Sequence, residues 1–488
     1  MGAGAGGLTA AVAAAAADGR RLRVILVEKE DHVGGTTFSP VLEEQAVNVD
    51  LRYERLDAFL TQGPEMMRYL RDQGFRWMAK PSQFPDYHPH VDGAVEHGRT
   101  LDPAVFDAAS LAITRNTSRS QTACLWSLAS ALPKGMVRPM SMGRSLIAQL
   151  LKMCMEHDNV EIWTGLELSE LLLSDRDGGV IGARVHRRGG EEHVDIHASL
   201  GVILTTGGFS QNQKMRDAYL GRTTAKGATS VMSTRAEWSL ASNGDAGIAL
   251  QAGLKIGAGS AQLGQVWGIP TMVDPRTGKV TEAMFAISKP FSIVVDGWGR
   301  RVFSESQPYG EAVRSIYPIG SLKTVWQIDQ AIERGLLLHS DTIDGLAEQI
   351  GVPKHSLQAT VSEWNTMCHQ GIDKHFHRGE DRYQQFIGDP TVVPNPCMGP
   401  VKESPFYAIR IFPGDAGTRG GLRTDQHARV LRADGSVISG LFAGGNASVA
   451  LLGTQGVGTT LAPAMTEGFV AVRYMRQLAE GGGALLTD

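Results

Sequence analysis

The chain opens on Gly2-Ala3-Gly4-Ala5-Gly6-Gly7, with glycines at the spacing G-x-G-x-x-G. A loop of this kind handles phosphate. Gly2 makes the tight turn, Gly4 lets backbone come up against a pyrophosphate, and Gly7 lets the next helix pack closely on a strand. The helix start adds free N–H groups and the positive end of its dipole. An apolar run, Arg23-Val24-Ile25-Leu26-Val27, then ends at Glu28, where a carboxylate can accept the hydroxyls of a ribose. Glycine loop, helix, strand and acid together predict a bound dinucleotide. Gly34-Gly35-Thr36-Thr37 follows and reads as a second close approach of backbone to the same ligand.

These residues need elements to hold them. The Ala-rich stretch Leu8 to Ala17 predicts a helix of small residues packed on a sheet; it is too short for a membrane span and lacks the basic flank of a signal peptide. In a doubly wound sheet a strand of about five or six residues leads into the glycine loop. Only Met1 stands there, so the two neighbouring strands are expected to lose ladder partners. Helices are predicted over Leu51 to Arg76, Ser141 to Cys154, Asp344 to Ile350, Lys354 to Gln370 and Leu461 to Leu478. Phe84 to Thr100 reads as loop. Strands are predicted at Asn159 to Trp163, Val180 to Val185, Val194 to Ala198, Phe291 to Asp296 and Val437 to Phe442, and Gly201 to Phe209 reads as a buried strand running into a glycine turn. Asn243-Gly244-Asp245-Ala246-Gly247 opens a helix with its first amides free. The texture changes near Gln265 and returns after Ile411, which predicts domains at 1–264, 265–411 and 412–488.

At 488 residues, 42% hydrophobic and 20% charged, the composition suits a soluble globular protein of more than one core. A net charge of -4 without a basic block argues against nucleic acid as a partner. No apolar run reaches a membrane span. Cys124, Cys154, Cys368 and Cys397 are scattered, so neither a disulfide framework nor a zinc site is expected, and a cytoplasmic setting fits. His88-Pro89-His90 and His375-Phe376-His377 lack further ligands at helical spacing and read as solvated loops, with no metal expected. Trp267 could line a flat apolar pocket but reads first as a core aromatic, Arg301 with Glu305 as an ion pair, and the charges from Glu348 to Glu363 as a wet helix face.

Val27-Glu28-Lys29, Gly34-Gly35-Thr36, Thr206-Gly207-Gly208-Phe209, Asn212, Asn243-Gly244-Asp245, Arg300-Arg301-Val302-Phe303-Ser304-Glu305, Gly420-Gly421-Leu422-Arg423-Thr424-Asp425 and Gly440-Leu441-Phe442-Ala443-Gly444-Gly445-Asn446 form a series along nearly the whole chain. In this series the chain resembles the fumarate reductase and 3-ketosteroid dehydrogenase superfamily of FAD enzymes. The resemblance implies an α/β fold, with a Rossmann-like FAD-binding domain split in sequence by an inserted α+β substrate domain. It implies FAD contacts at Gly2, Gly4, Gly7, Glu28, Lys29, Gly34, Gly35, Thr36, Thr37, Gly207, Gly208, Asp245, Gly445, Asn446 and Leu461.

The steroid branch is the better match. Phe84-Pro85-Asp86-Tyr87 and Ser304-Glu305-Ser306-Gln307-Pro308-Tyr309 look like the segments that supply its two active-site tyrosines. Gly388-Asp389-Pro390, Pro394-Asn395-Pro396-Cys397 and Pro405-Phe406-Tyr407-Ala408 also look typical of it. The implied reaction is α,β-dehydrogenation of a 3-ketosteroid or similar hydrophobic cyclic ketone, with an electron acceptor left unidentified. Tyr309 takes a proton beside the ketone, Tyr87 assists it, and flavin N5 accepts hydride from the neighbouring carbon. A tyrosine hydroxyl has a pKa of about 10, so it needs such help. The branch places a Tyr-Pro-Gly-Pro-Gly loop near the C-terminus to hold the ketone oxygen. Here the loop is Thr454-Gln455-Gly456-Val457-Gly458, which keeps the Gly458 backbone donor and leaves Thr454 or Gln455 to replace the tyrosine. The segment after Thr37 is shorter than usual. Fumarate reductases need His and Arg to clamp a dicarboxylate, and Gly268-Ile269-Pro270-Thr271 and the C-terminal glycine loop carry neither. The alternatives are enone or enoate reduction and a flavin-binding paralogue without turnover.

Overall fold

The computed structural model describes residues 1–15, 22–38, 52–79, 85–96, 101–107, 139–187, 190, 192–220, 234–275, 277–317, 322–326, 336–452 and 458–480. After the glycine loop comes α1 (Ala5–Ala15), buried along its whole length. Its small side chains let backbone meet backbone on every side. The chain continues through β1 (Val24–Val27), α2 (Arg52–Asp72), α3 (Met142–Met155) and β2 (Val160–Trp163). A meander follows, formed by β3 (Leu166–Leu173), β4 (Val180–Arg187) and β5 (His193–His197), antiparallel throughout. Then come β6 (Val202–Leu204) and α4 (Ile248–Lys255), with Gly247 at φ 81 as the N-cap of α4.

The second layer is antiparallel. It includes β7 (Val266–Val273), α5 (Tyr309–Ile316), β8 (Leu322–Trp326), α6 (Ile343–Ile350), α7 (Lys354–Gln370), α8 (Arg382–Ile387) and β9 (Phe406–Thr418). The long strand β9 is the spine, paired with β7 on one side and β8 on the other. It is buried on both faces over most of its length, with Arg410 exposed. The chain then returns to the first layer through β10 (Val437–Ala443) and α9 (Leu461–Glu480).

The parallel strands form two separate pairs. β1 pairs with β2, Val24 opposite Val160 and Val27 opposite Trp163. β6 pairs with β10, Val202 opposite Leu441 and Leu204 opposite Ala443. Among the described residues, Met1 and Gly2 form the rung between the pairs: Met1 N donates to Ile203 O at 2.9 Å and Gly2 N to Val27 O at 2.7 Å. Elements expected from the sequence are present within a few residues. The strand expected over Phe291 to Asp296 is shorter, Val294–Val295. Phe291 is half exposed with φ 63, which is not a strand conformation.

α9 crosses α1 with backbone in near contact. A Cβ added at Gly468 would lie 2.4 Å from the Gly6 carbonyl oxygen. Helix propensity alone favours alanine over glycine by about 1 kcal/mol. We predict the reverse for Gly468→Ala: a loss of about 1–3 kcal/mol in denaturant unfolding, because neither backbone can yield. A neutral or stabilising effect would contradict the close crossing.

Candidate active site

The loops at the ends of β1, β6 and β10 converge on one cleft. It is lined by Gly2, Gly4, Glu28, Lys29, Gly34, Gly35, Thr36, Thr37, Gly207, Asp245, Gly445, Asn446 and Leu461, all singled out from the sequence. Trp267 and Ala416 of the second layer close its wall. Glu28 is held from both oxygens: Oε2 accepts from Ala3 N at 2.7 Å and Oε1 from Glu30 N at 3.0 Å. Lys29 pairs with Glu167 at 3.2 Å. Ser242 N donates to Thr36 Oγ1 at 3.0 Å, which ties the second glycine turn to the loop before α4. On the far side Glu467 of α9 accepts from Gly445 N at 2.8 Å and from Arg55 at 2.5 Å. Trp267 Nε1 donates to Asn446 Oδ1 at 2.9 Å.

Two expected contacts lie elsewhere. Gly7 does not line the cleft; a Cβ there would lie 2.0 Å from the Gly2 oxygen, so Gly7 serves the packing of α1 against its own loop. Gly208 faces Thr418, whose Oγ1 would lie 1.9 Å from a Cβ. Thr454 falls outside the described residues. Gly458, with φ 83, sits in the turn that enters α9, where its carbonyl accepts from Ala462 N at 3.0 Å.

The cleft fits a ligand rich in hydroxyls and phosphate. Gly2, Gly34, Gly35, Gly207 and Gly445 all have positive φ there and present backbone without side chains. Two buried polar atoms on its lining residues, Thr206 Oγ1 and Asp245 Oδ2, have no hydrogen-bond partner among the described residues. Buried polar atoms are seldom left so in a finished site. Burial, and then the charge of Asp415, push the Asp245 carboxyl up to about 7. Asp415 itself is fully buried and paired with Arg216 at 2.8 Å, and Ser239 Oγ donates to it at 2.7 Å.

Beyond the Ala416 wall lies a buried aromatic cluster. Tyr87, Tyr309 and Tyr383 pack with Ile269, Met284 and Ile387, and Ala416 packs against the group. The Tyr87 and Tyr309 rings meet edge to face at 5.7 Å, and the Tyr87 and Tyr383 rings lie 4.7 Å apart. Each tyrosine comes from a different segment. Tyr87 sits in a loop closed by two bonds between Asp86 and Val95. Its neighbour His88 reaches to 3.6 Å from Glu311 of α5. Tyr309 is the first residue of α5, at the positive end of the helix dipole. Tyr383 stands in the first turn of α8, whose cap Asp381 accepts from Gln384 N at 2.8 Å.

Buried charge fixes the turn before Tyr309. Glu305 accepts from Arg301 Nη2 at 2.6 Å and from Arg378 Nη1 at 3.0 Å. Arg301 also binds Asp373 at 2.8 Å. Arg378 further donates to the carbonyls of Ser292 at 2.9 Å and Lys289 at 2.8 Å. Burial alone raises the Glu305 carboxyl, but the two arginines outweigh it and hold it below the ordinary carboxylate range. The expected Arg301–Glu305 pair is thus part of a larger network that clamps residues 301–306 to residues 373–378. His375 and His377 pair on the surface with Glu363 and Glu380. Asp373 and Arg378 on either side of them are fully buried, and no motif marked either.

A model of the FAD binding domain family matches residues 48–460. The chain belongs to this family. A model of the NAD(P)-binding Rossmann-like domain also matches, over residues 1–73. FAD is therefore the dinucleotide for which the cleft is built. The chain is 29% identical to the 3-oxosteroid 1-dehydrogenase of Mycobacterium tuberculosis, over 98% of each chain. It is 31% identical to the 4-oxocyclohexanecarboxylate 2-dehydrogenase of Sinomonas cyclohexanicum, over 99% of this chain and 93% of that one. Among solved structures it resembles 3-ketosteroid delta1-dehydrogenase from Sterolibacterium denitrificans in complex with 1,4-androstadiene-3,17-dione. That match has a TM-score of 0.82 at 27% identity and covers 98% of each chain. No helix among the described residues is long and apolar enough to cross a membrane.

Sequence reasoning preferred core to pocket wall for Trp267 and passed over Ala416, because a buried aromatic and a small residue in a strand look like core. It also passed over Tyr383, which lies in no recognisable motif. Two outcomes follow. The raised pKa of Asp245 gives the flavin-free protein a stability contribution fully present below the unfolded value of about 3.9 and lost as pH rises through about 7. Asp245→Asn should remove that dependence, so its Tm relative to the parent should climb between pH 5 and pH 8 in melts of the apoprotein. Arg378→Met should cost about 3–5 kcal/mol in denaturant unfolding, because Glu305 stays buried beside fewer partners.

Proposed function

We propose that this protein is an FAD-dependent dehydrogenase that introduces a double bond beside the carbonyl of a 3-ketosteroid or related apolar cyclic ketone. One observation carries the proposal: Tyr309, at the start of α5, meets Tyr87 edge to face in a buried apolar cluster that abuts the flavin cleft at Ala416. The names of the relatives support the same class of substrate.

In this mechanism Tyr309 is the base. The helix N-terminus favours its phenolate, since negative charge is stabilised there. Tyr87 holds and polarises the Tyr309 ring from the side. The proton leaves the carbon next to the ketone for the Tyr309 oxygen. FAD supplies the acceptor for the hydride that leaves the adjacent carbon. Charge that develops on the ketone oxygen needs donors, and we assign these to the Gly458 amide and the Thr454 side chain. Among the described residues, the aliphatic and aromatic walls packed with Tyr309 suit a flat apolar ketone and bring no charge partner for a dicarboxylate. This argues against the enoate reductase alternative.

Anaerobic mixing of the flavin-loaded protein with a 4-ene-3-one steroid should bleach the flavin band. Tyr309→Phe should slow that bleaching by roughly 100-fold or more, and Tyr87→Phe by less, with flavin content unchanged in both. The rate should rise with pH toward a limit as the base ionises. A bound flavin that stays oxidised with steroid and with simpler cyclic ketones would overturn the proposal and favour the paralogue without turnover.

A further inference from the structure

The turn that follows β10 lines the flavin cleft with Gly444, Gly445 and Asn446. Two of the three have no side chain, and Gly445 has φ 62. Glycine lets main chain come up to a ligand, but it also leaves that main chain free to take other shapes. Neighbours must therefore fix the turn. Trp267 Nε1 donates to Asn446 Oδ1 at 2.9 Å, which secures the turn from the second layer. The glycine end is held by α9.

Glu467 is a carboxylate among the buried residues Met465, Thr466, Gly468 and Phe469 of α9. It does not line the cleft but packs directly on the turn: a Cβ added at Gly444 would lie 3.0 Å from the Glu467 Cβ. Its Oε2 accepts from Gly445 N at 2.8 Å and lies 3.2 Å from Ser448 Oγ. Its Oε1 accepts from Arg55 Nη2 at 2.5 Å. Arg55 stands in the first turns of α2, and the same nitrogen donates to Val449 O at 2.9 Å. The pair thus brackets residues 445–449, with one end on the Gly445 amide and the other on the Val449 carbonyl. The two side chains are only 9% and 13% exposed. Taking an ion pair out of water costs free energy that apolar packing would not, so this pair is poorly explained as glue. α2 and α9 have a second link besides, since Arg473 Nη1 donates to Gln62 Oε1 at 3.0 Å. What the pair adds is a charged hydrogen bond to the amide of a turn whose own residues impose little shape.

We propose that Glu467, held by Arg55, is a positioning residue for FAD. It keeps Gly444, Gly445 and Asn446 in the shape that receives the cofactor, and so sets how tightly FAD is bound. Arg55 and Glu467 are 412 positions apart and reach the cofactor only through the main chain between them and the cleft.

FAD binding to the full chain freed of flavin is measured by quenching of FAD fluorescence, with the Tm of each apoprotein alongside. Glu467→Leu removes the acceptor of Gly445 N and should raise the Kd for FAD by about 100-fold. Arg55→Met keeps that acceptor but frees the carboxylate, and should raise the Kd by about 10-fold. Glu467→Gln combined with Arg55→Met keeps an oxygen for Gly445 N and leaves no buried charge, so it should bring the Kd back to within about threefold of the parent. A role confined to the fold would lower the apoprotein Tm and leave the Kd of the folded protein where it was. Folded Glu467→Leu that binds FAD within about threefold of the parent overturns the proposal, as does a double variant that loses FAD as Glu467→Leu does. Should Glu467→Leu not fold, the double variant decides: FAD held within about threefold supports the proposal, and loss of FAD or of the fold overturns it. No readout uses a substrate, so the result stands apart from the dehydrogenase reading.

Discussion

The site depends on places where backbone meets backbone with no side chain between. A Cβ at Gly2 would lie 2.4 Å from Thr205 O, one at Gly6 2.8 Å from Ala464 O, and one at Gly468 2.4 Å from Gly6 O. These approaches draw three distant segments, at the start, middle and end of the sequence, into one wall-to-wall junction. The cleft is what their loop ends leave open. Because the junction is made of main chain, it presents amides and dipoles rather than side chains, which suits a ligand with phosphates.

The second layer uses the opposite device. Tyr309 is positioned by buried charge, through the linked ion pairs of Glu305, Arg301, Arg378 and Asp373. Such a network contributes little net stability compared with apolar packing, yet breaking it is costly. It holds the start of α5 against the segment that leads to Tyr383. β9 links the two layers: Asp415 anchors the buried pair with Arg216, and the next residue, Ala416, touches both the cleft and the aromatic cluster.

Much of this was legible in the sequence, for identifiable reasons. Glycine loops announce themselves because only glycine tolerates the close approaches and the positive φ of Gly2, Gly207 and Gly445. Long helices and the strands β4 and β5 follow from apolar period, whereas β3 went unread. The segments carrying Tyr87 and Tyr309 stood out through resemblance, not through any local pattern. Trp267, Tyr383 and Arg378 were hidden because their importance lies in which segments meet, and one chain's spacing does not encode that. The resemblance placed Gly7 and Gly208 on the cofactor because glycines that pack backbone sit beside glycines that line the cleft.

The central claim is that ketone oxidation and flavin reduction are one event at Tyr309. The most direct measurement counts both. The flavin-loaded protein is mixed anaerobically with limiting 4-ene-3-one steroid, flavin absorbance is followed, and the quenched steroid is weighed by mass spectrometry. The account predicts one product lighter by two hydrogens for each flavin bleached, with both signals lost together in Tyr309→Phe. Flavin that bleaches without a lighter product, or product that forms undiminished in Tyr309→Phe, would contradict it.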